Sequence, residues 1–355
     1  MSGCRLQIKL QPKAEPKTEL MSKMSENRYQ RQSQVAQLGP DAQEKLANAH
    51  VLIVGAGGLG SPVSLYLAGA GIGKITLVDP DHVSLSNLHR QILFTESDLG
   101  EDKATVGKAR LTQLNSDIEI ESVAEAITPK NVDHFVSSAT VVVDAADNFF
   151  VSYLLSDVCF DKRIPLVSAS VLETSGHLGV FCGTKESPVP SLRALFPTPP
   201  AQAENCSTAG VTGPGVGIVG SYQAQETLKV ILQDKHQLAG RLLYLDLWNY
   251  RQQIIDFNTA PEPAQRAEFV ALNLLSDSQV LVDVRTPQEH SEEPLPAENI
   301  KASIINIPVA DIAQRHKELP EDKTVVCICR SGLRALNAAR ILIEQGYQDV
   351  AVTSR

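Results

Sequence analysis

The sequence predicts an α/β protein with a doubly wound, mainly parallel sheet and a second, smaller α/β domain. Short apolar runs rich in β-branched residues alternate with helical stretches from about residue 50. A glycine-rich turn, GAGGLG at 55–60, follows the first run, and a fresh strand–helix pattern begins after residue 266. The 355 residues are enough for about two domains, each with its own core.

The first domain is expected over residues 26–259, after a polar N-terminal tail at 1–25 that we expect to be disordered. Met24 could serve as an alternative start. The predicted strands of the first domain cover 51–54, 74–79, 117–123, 140–145 and 165–170. Helices are predicted near 59–70, 103–114, 148–161 and 216–232, and a hairpin is predicted from 241–248 and 251–257. This alternation is typical of a Rossmann-like sheet.

The second domain is expected over residues 267–355, after a linker at 260–266 that contains APEP. Strands are predicted at 280–285 and 324–329. A helix at 334–346 is expected to end at a C-cap glycine, Gly346.

Composition and charge exclude several classes of protein. A net charge of −9 argues against a nucleic-acid partner, which normally requires a basic face. No apolar run reaches the roughly 18 residues that a membrane span needs, and the N-terminus lacks an apolar signal core. We therefore expect a cytoplasmic protein without a membrane partner. The six cysteines form no C-x-x-C pair, so local pairs cannot build a four-thiolate zinc site.

The glycine turn indicates a phosphate site, and the residues after it suggest which phosphate. Asp79 ends the second predicted strand, where a carboxylate can bind ribose hydroxyls of NAD or ATP alike. The following segment carries Asn87, Arg90 and Gln91, and Lys103 comes soon after. Two cations near a phosphate-binding turn can neutralise a leaving pyrophosphate, which favours a triphosphate over a dinucleotide.

A metal site is expected at the end of the strand at 140–145. Asp144 and Asp147 lie there, where open α/β sheets bind ligands. Mg²⁺ prefers one or two carboxylates together with substrate phosphates. We expect Asp147 to hold Mg²⁺ and Asp144 to support the loop.

Taken together, RYQRQ (28–32), GAGGLG, LVDPDHVSLSNLHRQ, GEDKA (100–104) and DAADN resemble the ubiquitin-activating-type adenylyltransferases of the MoeB/ThiF/HesA group. The resemblance covers about residues 26–257. It implies a homodimer that uses MgATP to adenylate the C-terminal glycine of a small ubiquitin-like sulfur carrier ending in Gly-Gly, similar to MoaD or ThiS. A carboxylate that attacks the α-phosphate needs no protein nucleophile, so positioning and charge neutralisation suffice.

The resemblance also assigns residues. Arg31 matches an arginine that reaches the phosphates from the opposing subunit, and Arg90, Lys103 and Asp147 are the other expected catalytic groups. The expected nucleotide site consists of Gly57, Gly58, Asp79, Ser86, Asn87, Leu88, His89, Arg90, Gln91, Lys103, Asp147 and Asn148.

The chain departs from the family pattern where relatives carry a zinc site. Ser191 and Ala194 replace the first C-x-x-C pair, and no cysteine follows closely after Phe257. We therefore expect no structural zinc. Cys206 matches a cysteine that some relatives use as an acyl or persulfide thiol and that others dispense with, so its role stays open.

The second domain resembles a rhodanese through VLVDVRTPQEH, INIP and CRSGLRALNAA. Cys329 is the expected persulfide cysteine, because a tight loop running into a helix stabilises a thiolate. A cysteine desulfurase is a candidate sulfur donor. Asp283 and Arg285 would brace the loop, and C-x4-R is sized for sulfur rather than phosphate. Because the sequence ends at YQDVAVTSR, where the family continues, we expect the domain to be truncated at its C-terminus.

The sequence favours a sulfur-carrier adenylyltransferase with sulfur transfer by the rhodanese domain, in molybdopterin cofactor biosynthesis. Activation of a carrier for thiamine, cysteine or tRNA thiolation is an alternative, since the active-site residues are shared. A nicotinamide-dependent oxidoreductase fits GAGGLG but leaves Arg31, Arg90 and Lys103 unexplained. A non-catalytic scaffold is a further alternative.

Overall fold

The computed structural model describes residues 28–199, 210–296 and 300–355. The first domain is built on an eight-stranded sheet of order β3-β2-β1-β4-β5-β6-β7-β8. Its strands are β1 His50–Val54, β2 Lys74–Val78, β3 Glu119–Val123, β4 Val141–Asp144, β5 Leu166–Leu172, β6 Ser175–Phe181, β7 Arg241–Asp246 and β8 Arg251–Asp256. Strands β1 to β5 pair in parallel, and β6 to β8 continue the sheet antiparallel. This confirms the predicted doubly wound sheet.

Helices cover both faces of this sheet because alternate residues of its buried strands point in opposite directions. Val51 and Ile53 of β1 belong to one apolar cluster, whereas Leu52 and Val54 belong to another. The α-helices described in the first domain are Gln30–Ser33, Ala42–Ala47, Gly60–Ala70, Lys103–Leu114, Val132–Ser137, Phe149–Lys162, Leu192–Leu195 and Gly213–Ile231. Short 3₁₀ turns lie at Leu85–Asn87 and Glu96–Asp98.

The second domain contains a five-stranded parallel sheet of order β11-β10-β12-β13-β9. Its strands are β9 Glu268–Phe269, β10 Gln279–Asp283, β11 Ser303–Asn306, β12 Thr324–Cys329 and β13 Val350–Ser354. Its described helices are Pro287–Glu292, Ile312–Arg315 and Leu333–Glu344, with 3₁₀ turns at Leu272–Leu274 and His316–Glu318. The last residues of the sequence therefore form a strand, β13, beside β12.

Several predicted boundaries require correction. The helix expected at 216–232 begins at Gly213, because the Thr212 side chain caps it by accepting a hydrogen bond from Gly215 N at 3.3 Å. Strand β6 was not predicted at all. The last helix ends at Glu344, two residues earlier than expected, with Gln345 as its C-cap. Gly346, with φ of 96°, is the left-handed glycine that terminates it, as expected.

The two domains share one apolar cluster, which contains Phe150 and Leu154 of the first domain and Val282 and Leu336 of the second. The rings of Phe150 and Phe269 meet edge to face at 4.9 Å. Arg266 donates hydrogen bonds to both carboxylate oxygens of Asp161, at 2.8 and 2.6 Å. The aromatic contact therefore holds the second domain against helix Phe149–Lys162, and the Arg266 ion pair attaches the linker to the same helix.

Candidate functional site

A cavity of about 330 Å³ lies at the C-terminal ends of β1, β2 and β4. Ligands bind at this edge of open α/β sheets, where the strand order reverses. Nine of the twelve residues expected to bind nucleotide line it: Gly57, Gly58, Asp79, Asn87, Arg90, Gln91, Lys103, Asp147 and Asn148. The structure thus brings together residues that are up to 91 positions apart in the sequence.

The glycines of the turn allow close approach of backbone to backbone. A Cβ on Gly60 would lie 1.8 Å from the carbonyl oxygen of Gly55, and one on Gly55 would lie 2.6 Å from that of Ala145. A Cβ on Gly57 would meet only the Gln91 side chain, at 3.5 Å. Gly55 and Gly60 are therefore required by the turn itself, while Gly57 leaves backbone open to the cavity.

Asp79 fixes the turn relative to β2. Its carboxylate accepts hydrogen bonds from the backbone N–H groups of Ala56, at 2.7 Å, and of Asp81, at 2.8 Å. Burial raises the pKa of Asp79, and the nearby positive charge of Lys103 opposes that shift. Asp79, whose carboxylate is expected to contact ribose, therefore also connects the end of β2 to the glycine turn.

The two cations of the cavity differ in their partners. The ammonium of Lys103, which is 4% exposed, lies 3.0 Å from Asp81 Oδ2. Arg90 has no carboxylate partner among the described residues, and its contacts with Ser86 O and His89 Nε2 are 3.4 Å long. Sequence reasoning missed Asp81, although it stands two residues after Asp79 in VDPDH. An anion in this cavity would meet one unpaired guanidinium and one paired ammonium.

The end of β4 places two carboxylates in different environments. Asp144 is buried and accepts hydrogen bonds from Ser168 Oγ at 2.8 Å and Ala146 N at 3.2 Å, and burial raises its pKa. Asp147 is exposed to the cavity and makes no ion pair with a described residue. Asn148 Oδ1 accepts a hydrogen bond from Phe150 N at 2.9 Å and so caps helix Phe149–Lys162. Asp147 is thus the carboxylate that is free to hold a cation.

Other expected site residues lie elsewhere. Ser86, Leu88 and His89 do not line the cavity, because the short turn Leu85–Asn87 directs only Asn87 towards it. Arg31 is exposed on helix Gln30–Ser33, away from this cavity. Cys206 lies outside the described residues.

A second cavity of about 460 Å³ adjoins the first, and sequence reasoning missed it. Its floor is formed by β5, β6 and β7, and its walls include Phe149, Tyr153 and Phe196. The residues that line both cavities are Ala146, Asp147, Asn148, Ser170 and Val171. A ligand in the second cavity would therefore lie beside one in the first.

Cys329 ends β12 and is 1% exposed. Gly332, with φ of 81°, lies against the Phe150 ring, since a Cβ there would be 2.1 Å from Phe150 Cδ2. Arg334 donates two hydrogen bonds of 2.7 Å to Glu289. The loop after Cys329 is therefore enclosed between its own domain and helix Phe149–Lys162.

Asp283 and Arg285 form a buried pair, with Asp283 Oδ2 2.7 Å from Arg285 Nη2. His290 Nδ1 lies 2.8 Å from the same oxygen. Burial alone would raise the pKa of Asp283, but the hydrogen bonds from Arg285 and His290 hold it below its ordinary value. The geometry agrees with a bracing role for Asp283 and Arg285.

The expected absence of zinc stays a prediction. Ser191 occupies the position of the first replaced cysteine, and its N and Oγ each donate a hydrogen bond of 2.6 Å to Glu262. Across the described ranges, no group of three His, Cys, Asp or Glu side chains could hold a metal ion. No helix within those ranges is long and apolar enough to cross a membrane.

The fold and the site define a nucleotide-binding α/β domain joined to a rhodanese-like domain, and comparisons identify the family. Residues 29–267 match the ThiF family, and residues 269–354 match the rhodanese-like domain. The chain therefore belongs to the ThiF family and carries a C-terminal rhodanese-like domain.

Two curated relatives and one solved structure are similar to this chain. The adenylyltransferase and sulfurtransferase MOCS3 of Anopheles gambiae is 48% identical over 221 residues, which are 62% of this chain and 49% of that protein. A sulfur carrier protein adenylyltransferase of Thermus thermophilus is 42% identical over 224 residues, 62% of this chain and 83% of that protein. E. coli MccB with ATP superposes with a TM-score of 0.59 at 25% identity, covering 67% of this chain and 74% of that one. The chain spans about half the length of the MOCS3 relative.

Proposed function

We propose that this protein adenylates the C-terminal glycine of a small ubiquitin-like sulfur carrier with MgATP. The observation that carries the proposal is the pair of adjoining cavities, one with Arg90, Lys103 and Asp147 and the other open to an acceptor. Two substrates that react with each other need neighbouring sites of this kind. The Thermus relative's name describes the same activity for that protein.

ATP fits the residues of the smaller cavity. The open backbone at Gly57 and the guanidinium of Arg90 suit phosphate groups, and Asp147 is the residue that would hold a magnesium ion. A nicotinamide dinucleotide would account for the glycines but not for the cations. In the homodimer, Arg31 of one subunit supplies a further charge to the phosphates of the other.

The chemistry requires positioning and charge neutralisation. A carboxylate oxygen of the carrier's last glycine bonds to the α-phosphorus, and the bond from that phosphorus to the bridging oxygen breaks, releasing pyrophosphate. Arg90 and Lys103 neutralise the charge that develops on the phosphates. The carboxylate enters from the second cavity, past Asp147 and Asn148, which line both.

Sulfur transfer would follow at Cys329. A cysteine desulfurase loads this thiol as a persulfide, whose terminal sulfur attacks the acyl adenylate and displaces AMP. A second thiol, for which Cys206 is the candidate, then cleaves the sulfur–sulfur bond, which leaves a disulfide on the enzyme and releases the thiocarboxylate. Molybdopterin synthesis is the favoured pathway, and carriers for thiamine, cysteine or tRNA thiolation are the alternatives. We propose a cytoplasmic location for these steps.

The proposal is tested by ATP–pyrophosphate exchange with purified carriers that end in Gly-Gly. We expect one carrier to stimulate exchange and Arg90→Ala to abolish it. Arg110→Ala is the matched control, because Arg110 lies outside the cavity and pairs with Asp98 at 3.0 Å. Binding of NAD without stimulation by any carrier would refute the proposal. Metal analysis of the same preparation, with less than about one zinc per chain expected, tests the absence of a zinc site.

A further inference from the structure

The floor of the second cavity carries five polar side chains, and three of them already have partners. Ser168 Oγ donates to Asp144 at 2.8 Å, and Tyr244 Oη donates to Ser175 Oγ at 3.2 Å. Ser170 and His177 are the two that remain, and neither side chain has a hydrogen bond with any residue that the structure describes. Buried or half-buried polar groups in folded proteins normally have partners. A ligand in the cavity could therefore supply the partners that the described residues do not.

Ser170 and His177 also form a pair. They are directly opposite each other in the antiparallel ladder of β5 and β6, so their side chains point to the same face of the sheet. The Cβ atoms of such a pair are about 4.5–5.5 Å apart. Ser170 lines both cavities, whereas His177 lines the larger one alone. The pair thus marks a path from the larger cavity to the smaller one, which is called the nucleotide cavity below because ATP is proposed to bind there.

We propose that Ser170 and His177 recognise the peptide backbone of the carrier's C-terminal segment and hold it across β5 and β6, so that its carboxylate reaches the nucleotide cavity. This inference rests on the proposed function and names the residues that position its protein substrate.

The charge state of His177 distinguishes backbone recognition from capture of the carboxylate. Burial lowers the pKa of His177 to about 4, and the Phe196 ring lies 5.9 Å away. At neutral pH the imidazole therefore has one donor and one acceptor, which match the N–H and C=O of a peptide group. A carboxylate would gain no ion pair here and would gain one at Arg90. The segment therefore contacts His177 through its backbone, and its terminus continues towards the phosphates.

The test is steady-state pyrophosphate exchange by the full chain, with the stimulating carrier varied at saturating MgATP. His177→Leu should raise the KM for the carrier about three- to tenfold, the effect of one neutral hydrogen bond, and should leave ATP affinity unchanged. His177→Gln, which restores a donor and an acceptor, should recover most of the loss. Ser170→Ala should act in the same direction. His134→Leu is the matched control, because His134 lies on helix Val132–Ser137 and lines neither cavity.

Two results would overturn the inference while leaving the proposed function intact. One is an unchanged KM for the carrier in His177→Leu when the wild-type protein is stimulated normally. The other is a wild-type KM that rises with a midpoint between pH 6 and 7, since this would show a charged imidazole holding the carboxylate. If no carrier stimulates pyrophosphate exchange by the wild-type protein although ATP binds, both the proposed function and this inference are refuted.

Discussion

Replacing Gly332 with alanine tests whether the contact between the domains shields Cys329. Gly332 lies against Phe150, and an added Cβ would be 2.1 Å from that ring. The ring is itself 2% exposed and meets Phe269 edge to face, so it cannot turn aside without losing that contact. Gly332→Ala should therefore push the cysteine loop away from helix Phe149–Lys162 and make Cys329 accessible.

The size of the effect follows from what the substitution disrupts. An aromatic pair such as Phe150–Phe269 contributes about 0.5–1.5 kcal/mol beyond its buried area. Because 1.4 kcal/mol is a factor of ten in an equilibrium constant, its loss should raise the open population roughly two- to twelvefold. The left-handed backbone at Gly332 adds about 1–2 kcal/mol of strain for alanine, and that strain destabilises the loop in either arrangement.

The assay is timed alkylation with iodoacetamide, in which peptide mass spectrometry measures each cysteine separately. Cys159 and Cys182 are buried, and burial raises the pKa of both thiols, so they serve as slow internal standards. Cys329 should react several times faster in Gly332→Ala than in the wild-type protein. In a Phe150→Ala background, Gly332→Ala should increase the rate of Cys329 alkylation by less than about twofold. Equal acceleration in both backgrounds would assign the effect to loop strain and refute shielding by Phe150.

Three further predictions concern stability. Gly60→Ala would place a Cβ 1.8 Å from a backbone oxygen of the glycine turn, so we expect urea unfolding to show a loss of about 1–3 kcal/mol or more. Arg193→Ala removes the 2.7 Å partner of buried Asp157 and leaves only Arg266, 3.8 Å away, so it should lower the unfolding free energy by about 1–3 kcal/mol. Hydrogen bonds from Arg334 lower the pKa of Glu289 to about 2. Their stabilisation is complete above about pH 4.5 and is lost as pH falls towards 2, which thermal unfolding across that range would measure.

Each of these predictions has a control in the same chain. Gly69→Ala lies in the same helix as Gly60 with nothing within 4 Å, so it should not destabilise the protein. Arg315→Ala breaks an exposed ion pair with Glu318 and should leave the unfolding free energy almost unchanged. Glu289→Gln should remove the fall in thermal stability below about pH 4.5. If stability still falls in this variant, other carboxylates are responsible.

The meeting of most of the expected nucleotide-site residues at one cavity could be predicted because their positions follow from local rules. A glycine turn after a buried strand and polar residues at the carboxyl ends of parallel strands converge at one edge of the sheet. Gly57, Asp79 and Asp147 meet there although they are distant in sequence. The rules do not fix which side chains of a short turn face inward, so Ser86, Leu88 and His89 were expected at a cavity that they do not line.

Strand β6 could not be predicted because its sequence, SGHLGVF, lacks both alternation and a β-branched run. Gly176 is required by a neighbour from another element, because a Cβ there would meet Val219 Cγ2 at 2.6 Å. Only the assembled sheet and helix Gly213–Ile231 create that requirement. His177 and the second cavity were missed for the same reason, since both depend on β6.

The start of helix Phe149–Lys162 connects the three parts of the proposed reaction. Asn148 lines the nucleotide cavity, Phe149 lines the second cavity, and Phe150 touches the loop after Cys329. The hydrogen bond of 2.9 Å from Phe150 N to Asn148 Oδ1 fixes these consecutive residues relative to one another. Because three successive side chains at a helix start point in different directions, one rigid element can contact three sites at once. A displacement of this helix by a ligand in either cavity would therefore also move the surface that covers Cys329.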